Sequence, residues 1–523
     1  MNILYINPAR IRVGLDFIIK GQPLNLITLA AMVPEHEAKI IDYKVDKFDR
    51  KDLIRELNHH DLVAITSMTP QIYSAFEIAK IAKEHGCPTI FGGYHPTLAP
   101  DYVTKNPYVD YVIRGEGEHT FKELVDFLDN NKHNISIRDI DGLSYKDKEG
   151  KIVHNKARKL EKNLDNFPLP RRELIDDSKY LYLGVRVSSL ESSRGCPYSC
   201  KFCCIQKMWR DPNQHLSYRS KSIKRIMQEI YDVDFKKNDF IFFCEDNFTI
   251  NIKRTKKILD TIIKSGINSE IYFSCQSRVD TLYRNPWLVE LMYKAGMRQV
   301  FLGIESVHQK SLNAMNKRST TPQMTREVVE MLQSYGISIF GGVIIGFPGE
   351  TKKMVRQTIQ YAKSLNLTCV QFTPITAFPG TKFYEEMKSE GRISSHNYRH
   401  YNLFYSMMDT DKLSSKELYQ LVVEAYSSYY LGEEWLKMLG KRYCNPFGKF
   451  NWMSSSIPRF MKTVIMSGWQ MLRSQGISRS NISEELKQIS NNAKEIKHKT
   501  GQAFKIESYL SKLMNMEKQA IAK

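Results

Sequence analysis

The 523-residue chain has no run of 18 uncharged apolar residues, so no bilayer-spanning helix is expected. It is also short of cysteine. There are nine in all, and Cys87 is the only one before residue 196. Scattered cysteines of this kind do not make a disulfide framework and fit a reducing compartment. Acidic residues are missing locally: 441–479 holds Lys441, Arg442, Lys449, Arg459, Lys462, Arg473 and Arg479 but no Asp or Glu. They are outnumbered globally as well, 57 against 76 Lys and Arg, for a formal net charge of +19. Such an excess points to an anionic partner (nucleic acid, a membrane surface or an acidic substrate) or to a general lysine bias. The opening Met1-Asn-Ile-Leu-Tyr-Ile-Asn-Pro reads as a strand running into a turn, not as a signal peptide. With 42% hydrophobic and 25% charged residues, the rest has the composition of an ordinary globular protein.

What is present is concentrated in Ser193-Arg-Gly-Cys-Pro-Tyr-Ser-Cys-Lys-Phe-Cys203. Cys196, Cys200 and Cys203 follow a C-x3-C-x2-C spacing. Three thiolates so close suit a soft metal or an iron–sulfur cluster. Structural zinc is normally closed by four ligands, often two C-x-x-C pairs, and no fourth ligand stands near at that spacing. A [4Fe–4S] cluster held by three cysteines keeps one iron open. Buried free thiols are the alternative.

The surrounding chain alternates strand and helix. Over 1–130, apolar strands end at Asn7-Pro8, Thr66-Ser67-Met68-Thr69, Gly92-Gly93-Tyr94-His95 and Gly115-Glu116. This pattern predicts a doubly wound parallel α/β sheet with its ligand beyond the carboxyl ends of the strands. Residues 131–180 read as a hairpin turning at Glu149-Gly150, then an extended linker, with a domain boundary near 180. Over 181–410, six strand-plus-helix units predict a partial β/α barrel. Its strand ends carry polar or glycine residues: Glu245-Asp246-Asn247, Gln276-Ser277-Arg278, Gly303 to Ser306, Gly346 to Glu350 and Thr376 to Thr381. Residues 411–523 read as helical, with Ser414 or Ser415 capping a helix that runs to about Tyr430. Within 441–479, Ile457 to Leu472 recur at helical spacing beside basic residues, Met466 and Trp469. That pattern suits an interfacial helix or a helix packed over the barrel mouth.

The triad at the head of a partial barrel, with aromatic Phe202 before its last cysteine, resembles the radical S-adenosylmethionine (SAM) enzymes. The resemblance implies a [4Fe–4S] cluster on Cys196, Cys200 and Cys203, and SAM chelated at the open iron and cleaved to a 5′-deoxyadenosyl radical. It further implies SAM contacts at Phe202, Glu245, Asp246, Ser277, Arg278, Glu305 (in a Gly-Ile-Glu-Ser turn), Gly342 and Gly346. The first 130 residues resemble the cobalamin-binding domain that precedes many such barrels. On that likeness Thr66, Ser67, Thr69, Gly92, Gly93, His95, Gly115 and Glu116 are candidate cobalamin contacts. The D-x-H-x-x-G histidine is absent, since Asn7-Pro-Ala-Arg-Ile-Arg offers none. His95 is the nearest candidate, although a histidine at a strand end more often only hydrogen-bonds its surroundings. Cys204 is a candidate hydrogen-atom donor, although an inert thiol is the commoner role.

Within this group three outcomes stand open: methylation of an unactivated carbon, ring formation as in the anaerobic porphyrin-ester cyclase, and modification of membrane lipids. The domain order, the Phe-Pro-Gly-Thr turn and the acid-free segment with Trp452 and Trp469 favour a hydrophobic or lipid substrate. The expectation is carbon–carbon ring formation in archaeal tetraether lipids, with cobalamin-dependent C-methylation as the alternative. The resemblance also implies an electron donor such as ferredoxin or flavodoxin. The expected location is cytoplasmic, with peripheral contact on the inner face of the membrane through 441–479. Transfer-RNA methylthiolation would need a second cysteine triad in the first domain, which Cys87 alone cannot supply, so no nucleic-acid partner is expected.

Overall fold

A computed structural model describes residues 1–9, 19–129, 135–182, 184–209, 218–430 and 432–443. The segment 444–479, including the apolar repeat over 457–472, lies outside the described residues, as does the rest of the C-terminus.

The first sheet has seven strands in the order β2-β1-β3-β4-β5-β6-β7. They are β1 (Asn2–Asn7), β2 (Glu37–Asp42), β3 (Leu62–Thr66), β4 (Thr89–Gly92), β5 (Tyr111–Ile113), β6 (Leu143–Lys146) and β7 (Ile152–His154). The first five pair in parallel. β1 shows why its sequence is apolar at successive positions: Leu4 and Ile6 enter the core on one face, Ile3 and Tyr5 the core on the other. The 143–154 hairpin does not form a separate connector. It adds to β5 antiparallel and extends this sheet, so the first structural unit runs past residue 130.

The second sheet carries β8 (Leu181–Tyr182), β9 (Val185–Leu190), β12 (Phe240–Phe243), β13 (Tyr272–Ser277), β14 (Met297–Glu305), β15 (Ser338–Ile345) and β16 (Cys369–Pro374). The six strands from β9 to β16 are parallel and neighbours in chain order, as expected for a partial β/α barrel. Two short strands, β10 (Ser193–Arg194) and β11 (Arg219–Ser220), pair antiparallel and pin the base of the cysteine loop between them. Before the barrel, Ile19 bridges Tyr182 and the Lys20 amide donates to Leu181 O (2.8 Å). The chain of the first unit thus lies on the edge of the second sheet.

An open barrel leaves β16 with unpaired backbone groups. The helix Ser415–Tyr430 and the one after it, Glu433–Tyr443, supply partners. Tyr430 Oη accepts from the Val370 amide (2.7 Å) and donates to Val370 O (2.7 Å), Tyr429 Oη donates to Leu367 O (2.7 Å), and Trp435 Nε1 donates to Thr368 O (3.1 Å). Ser414 caps the first of these helices, sharing hydrogen bonds with Glu417 in both directions. The described C-terminal helices therefore seal the barrel's edge. Among the described residues no helix is long and apolar enough to cross a membrane.

Candidate active site

The turn after β5 and the helix Tyr94–Leu98 of the first unit meet the cysteine loop of the second. On the barrel side, Cys196, Cys200, Cys203 and Cys204 are all half-buried free thiols. Burial pushes the first three thiols up; Tyr198's backbone opposes this at Cys196, and the Lys317 and Arg278 charges oppose it at Cys200. Cys204 is pushed up to about 11 by burial and by Asp246. The loop is held from below: the Lys201 amide donates to Met315 O (3.2 Å), and Asn316 Nδ2 donates to Ser199 O (3.1 Å). Phe202 leaves the loop toward Phe347 (ring centroids 6.3 Å apart) and the apolar cluster of Phe347, Ile375 and Ala377.

Around this loop the sequence candidates separate. Glu245 and Asp246 lie in the bend just past β12 and have different surroundings. Glu245 is buried and turned to Ser192, whose hydroxyl donates to it and whose amide donates to it at 3.3 Å. Asp246 faces the thiols of Cys196, Cys203 and Cys204. Burial raises both carboxyls to about 7, aided at Asp246 by Glu191 and Glu245 and opposed at Glu245 by Ser192. Ser277 Oγ is paired with Thr249 Oγ1 (2.7 Å). The Arg278 guanidinium lies 3.7 Å from the Tyr198 ring centroid, ion-pairs with Asp280 (2.9 Å) and donates to Ser319 Oγ (2.9 Å). Glu305 takes a left-handed φ of 64° and ion-pairs with the buried Lys317. Lys317 also donates to Gly303 O (2.9 Å). Sequence reasoning missed Lys317, which lies on a loop with no motif. It also missed Glu191 and Ser192.

The two candidate glycines of β15 differ. Gly342 faces Phe301, which a Cβ would meet at 2.9 Å. Gly346 (φ 79°) lies under Leu418, only 2.0 Å from where its Cβ would be, so it serves the packing of the C-terminal helix. Next to it the buried Glu350 accepts from the Gly346 amide (3.0 Å), Ser306 Oγ (2.9 Å) and Ser311 Oγ (2.7 Å), joining the ends of β14 and β15.

On the first sheet, Gly93 adopts φ 97° and ψ −163°, a region open essentially to glycine alone. A Cβ there would meet Thr66 Oγ1 at 2.8 Å. A Cβ on Gly92 or Gly115 would meet nothing within 4 Å, and Met68 is 50% exposed at the end of β3. Open glycines beside an exposed apolar side chain fit a broad, flat ligand such as a corrin. Thr66 Oγ1 accepts from Asn25 Nδ2 (2.7 Å), Ser67 Oγ donates to Met68 O (2.9 Å), and Thr69 Oγ1 lies 3.3 Å from His95 Nδ1. His95 is fully buried against Tyr398 (ring centroids 4.5 Å apart), and its Nε2 has no partner among the described residues. Burial pushes its pKa down to about 3, so the ring is neutral.

Glu116 is not turned toward that open space. It ion-pairs with Arg194 (2.7 Å) and Arg219 (2.9 Å), and Arg194 also pairs with Glu118 and Glu191 (2.7 Å each). Arg194 stands two residues before Cys196 and lies over Phe167 (5.0 Å). The Arg-Gly-Glu-Gly-Glu turn thus fastens the first unit to the cysteine loop. Burial first, then the charges of Asp246, Cys204, Cys203 and Glu191, hold the Tyr94 phenol well above the ordinary value.

The donor set is soft. Among the described residues no three His, Cys, Asp or Glu side chains form a site for one metal ion. The triad suits a cluster, in which each thiolate takes a different iron.

Comparison with known proteins agrees. The Radical SAM superfamily model matches residues 190–362, and the B12 binding domain model matches 17–125. An uncharacterised methyltransferase of Pyrococcus horikoshii is 34% identical over 79% of this chain and 88% of its own length. The chain belongs to the B12-binding radical SAM enzymes. Other relatives of this radical SAM chain include the anaerobic magnesium-protoporphyrin IX monomethyl ester cyclase of Rubrivivax gelatinosus (28% identical, 78% of this chain, 72% of the relative). The hopanoid C-2 methylase of Rhodopseudomonas palustris is 25% identical over 73% of this chain and 67% of its own length. The fold is that of the cobalamin-dependent SAM radical enzyme OxsB, solved with aqua-cobalamin and SAM (TM-score 0.66, 18% identity, 99% of this chain, 81% of that one). The cofactors of this radical SAM enzyme are accordingly a [4Fe–4S] cluster, SAM and cobalamin.

Proposed function

We propose that this enzyme methylates an unactivated carbon of a hydrophobic substrate. Cys196, Cys200 and Cys203 hold the cluster, and the open turns of the first sheet hold cobalamin. The observation that carries the reading is the meeting of the two units at the cysteine loop: Glu116 and Glu118 ion-pair with Arg194, two residues before Cys196, and the helix after Gly92-Gly93 packs on the helix after Cys204, so that the proposed sites would share one gap. A radical-generating site and a methyl-carrying site that share a gap suit replacement of hydrogen by methyl on one carbon. When bound, the cluster with SAM supplies hydrogen-atom abstraction, and cobalamin supplies the methyl.

The chain's own groups prepare that gap. Phe202 and Ile344, half-buried against the apolar cluster around the fully buried Phe347, present apolar surface, which suits a greasy substrate. Asp246 sets an acid beside the thiols. Arg278 and Lys317 set cations near Cys200, suited to the carboxylate of SAM. The relatives bear on the choice of reaction: the printed names of the Pyrococcus horikoshii and hopanoid proteins are methyltransferase and methylase. Ring formation, including in tetraether lipids, is the second reading. Its support is the cyclase relative, which is less similar than the methyltransferase.

The test is product analysis of the reconstituted protein with SAM, a low-potential reductant and lipid extract. Methylation consumes one SAM as methyl source, giving S-adenosylhomocysteine, and one as radical source, giving deoxyadenosine and methionine. Both nucleosides should form in step with a methylated lipid. Deoxyadenosine alone, with a lipid that has lost two hydrogens, would reject methylation in favour of ring formation. Cys200→Ala should abolish deoxyadenosine and the cluster's visible absorbance, near ~400 nm.

A further inference from the structure

The end of β14 is irregular. Gly303 pairs with Gly342 and Glu305 with Val343, so Ile304 is the extra residue of a bulge. Glu305 follows it with a left-handed φ of 64°, a conformation that a residue with a Cβ keeps only when its surroundings hold it. Bulges next to active sites re-aim a side chain. Here the Glu305 side chain is turned back over Gly303: a Cβ on Gly303 would meet Glu305 Oε1 at 2.6 Å and Lys317 Nζ at 2.9 Å.

Lys317 is what holds this arrangement. Its buried ammonium donates to Gly303 O (2.9 Å) and to Glu305 Oε1 (2.5 Å). One side chain thus joins the backbone before the bulge to the carboxylate after it. Glu305 Oε2 makes no hydrogen bond among the described residues. Lys317 is itself fixed, since its amide donates to Leu312 O (2.9 Å). Its neighbours reach outward on both sides. Met315 O accepts from the Lys201 amide (3.2 Å), Asn316 Nδ2 donates to Ser199 O (3.1 Å), and Ser319 Oγ accepts from Arg278 (2.9 Å). The segment 315–319 therefore ties the cysteine loop to the ends of β13 and β14.

A carboxylate anchored through one oxygen leaves the other as an acceptor for a ligand's O–H or N–H. We infer that Lys317 is a positioning residue for SAM binding: it holds Glu305 in its left-handed conformation, with Oε2 left for the cosubstrate, and acts through Glu305 without touching SAM. This inference rests on the reading of the SAM site given above. It also accounts for glycine at 303, since any Cβ there would push the pair apart.

The experiment uses the full chain reconstituted with cluster and corrinoid, titrated with SAM and followed by the change in the reduced cluster's electron paramagnetic resonance spectrum. Gly303→Ala keeps both charges and displaces only the tips of two flexible side chains, so melting temperature and cluster absorbance should stay near the wild type. Its apparent Kd for SAM should rise on the order of tenfold, the size of one hydrogen bond to a charged acceptor. Lys317→Met should weaken SAM binding as much, and in reductive SAM cleavage both variants should raise KM more than they lower kcat. In a double-variant cycle, Lys317→Met added to Glu305→Gln should raise Kd by less than about twofold, because residues that act as one unit are not additive. Additive losses would show Lys317 holding the ligand by itself and would overturn the positioning role. If Gly303→Ala and Lys317→Met bind SAM as the wild type does, the role of Lys317 is overturned while the site reading stands. If the wild-type protein itself binds no SAM, the site reading fails and takes this inference with it.

Discussion

Removing the Arg194 guanidinium should be among the most damaging single changes outside the cysteines. Arg194 is 8% exposed and holds Glu116, Glu118 and Glu191, each at 2.7 Å. In Arg194→Met the alkyl stem is largely kept, while the guanidinium over Phe167 and its charge are lost. Glu116 retains Arg219 (2.9 Å), which leaves Glu118 and Glu191 without their cation. Breaking a buried pair by removing one partner costs about 3–5 kcal/mol, because the stranded charge stays in the low-dielectric interior. The pH dependence separates this cause from a packing defect. Burial alone raises the Glu118 carboxyl; the Arg194 charge and hydrogen bond outweigh it and leave it below the ordinary value. In the wild type Glu118 therefore stabilises above its unfolded pKa, and that stabilisation is lost as pH falls through its folded pKa. In Arg194→Met burial is opposed only by the Glu118 backbone amide and His119, so acidification protonates the stranded carboxyl and the stability gap to the wild type should narrow. Denaturant unfolding of the full chain at a series of pH values is the assay, with Arg194→Met/Glu118→Gln as the relieved double variant. A cost below about 1 kcal/mol, the scale of a surface ion pair, or a gap independent of pH, would refute the reasoning.

Two further changes probe the first sheet. Gly93→Ala forces a Cβ into φ 97° and to 2.8 Å from Thr66 Oγ1; we expect about 2–3 kcal/mol of destabilisation and weaker corrinoid retention, measured by thermal melting and by absorbance after gel filtration. His95, with its pKa pushed down to about 3, resists protonation when folded and accepts it near pH ~6.5 when unfolded. Its contribution should therefore fall by about 1.4 kcal/mol per pH unit as pH drops below that value. His95→Gln should flatten this part of the stability profile, and an unchanged slope would show that the imidazole is not the buried neutral group described.

Much of this architecture was legible in the chain, for physical reasons. Barrel strands such as Phe240–Phe243 are buried apolar runs that a short window detects, and the strand ends carry their own polar signals. The helix expected from a Ser414 or Ser415 cap to about Tyr430 is Ser415–Tyr430, because capping and helical periodicity are local. The misses depend on distant pairings. Nothing in 143–154 states that the hairpin joins β5 antiparallel and not a neighbour of its own. Nothing near Arg114-Gly-Glu-Gly-Glu118 reveals that its acids are taken up by arginines at 194 and 219.

The fate of Glu116 bears on how the two halves work together. A glycine-rich turn at the end of a parallel strand has the form of a ligand cradle, and Gly115 keeps that character, with open space where its Cβ would be. The acid next to it faces the other way, into the guanidinium two residues before Cys196. One turn thus presents backbone to the corrin side and charge to the cluster side. A displacement of this turn cannot be confined to either side, since Arg194 is fixed by three carboxylates and lies on the same short strand that leads into the cysteine loop. The spacing between the corrin side and the cluster side is therefore held by a buried ionic contact. On the proposed methylation, which needs both sides to act on one carbon, this is the dimension that the fold most needs to hold constant.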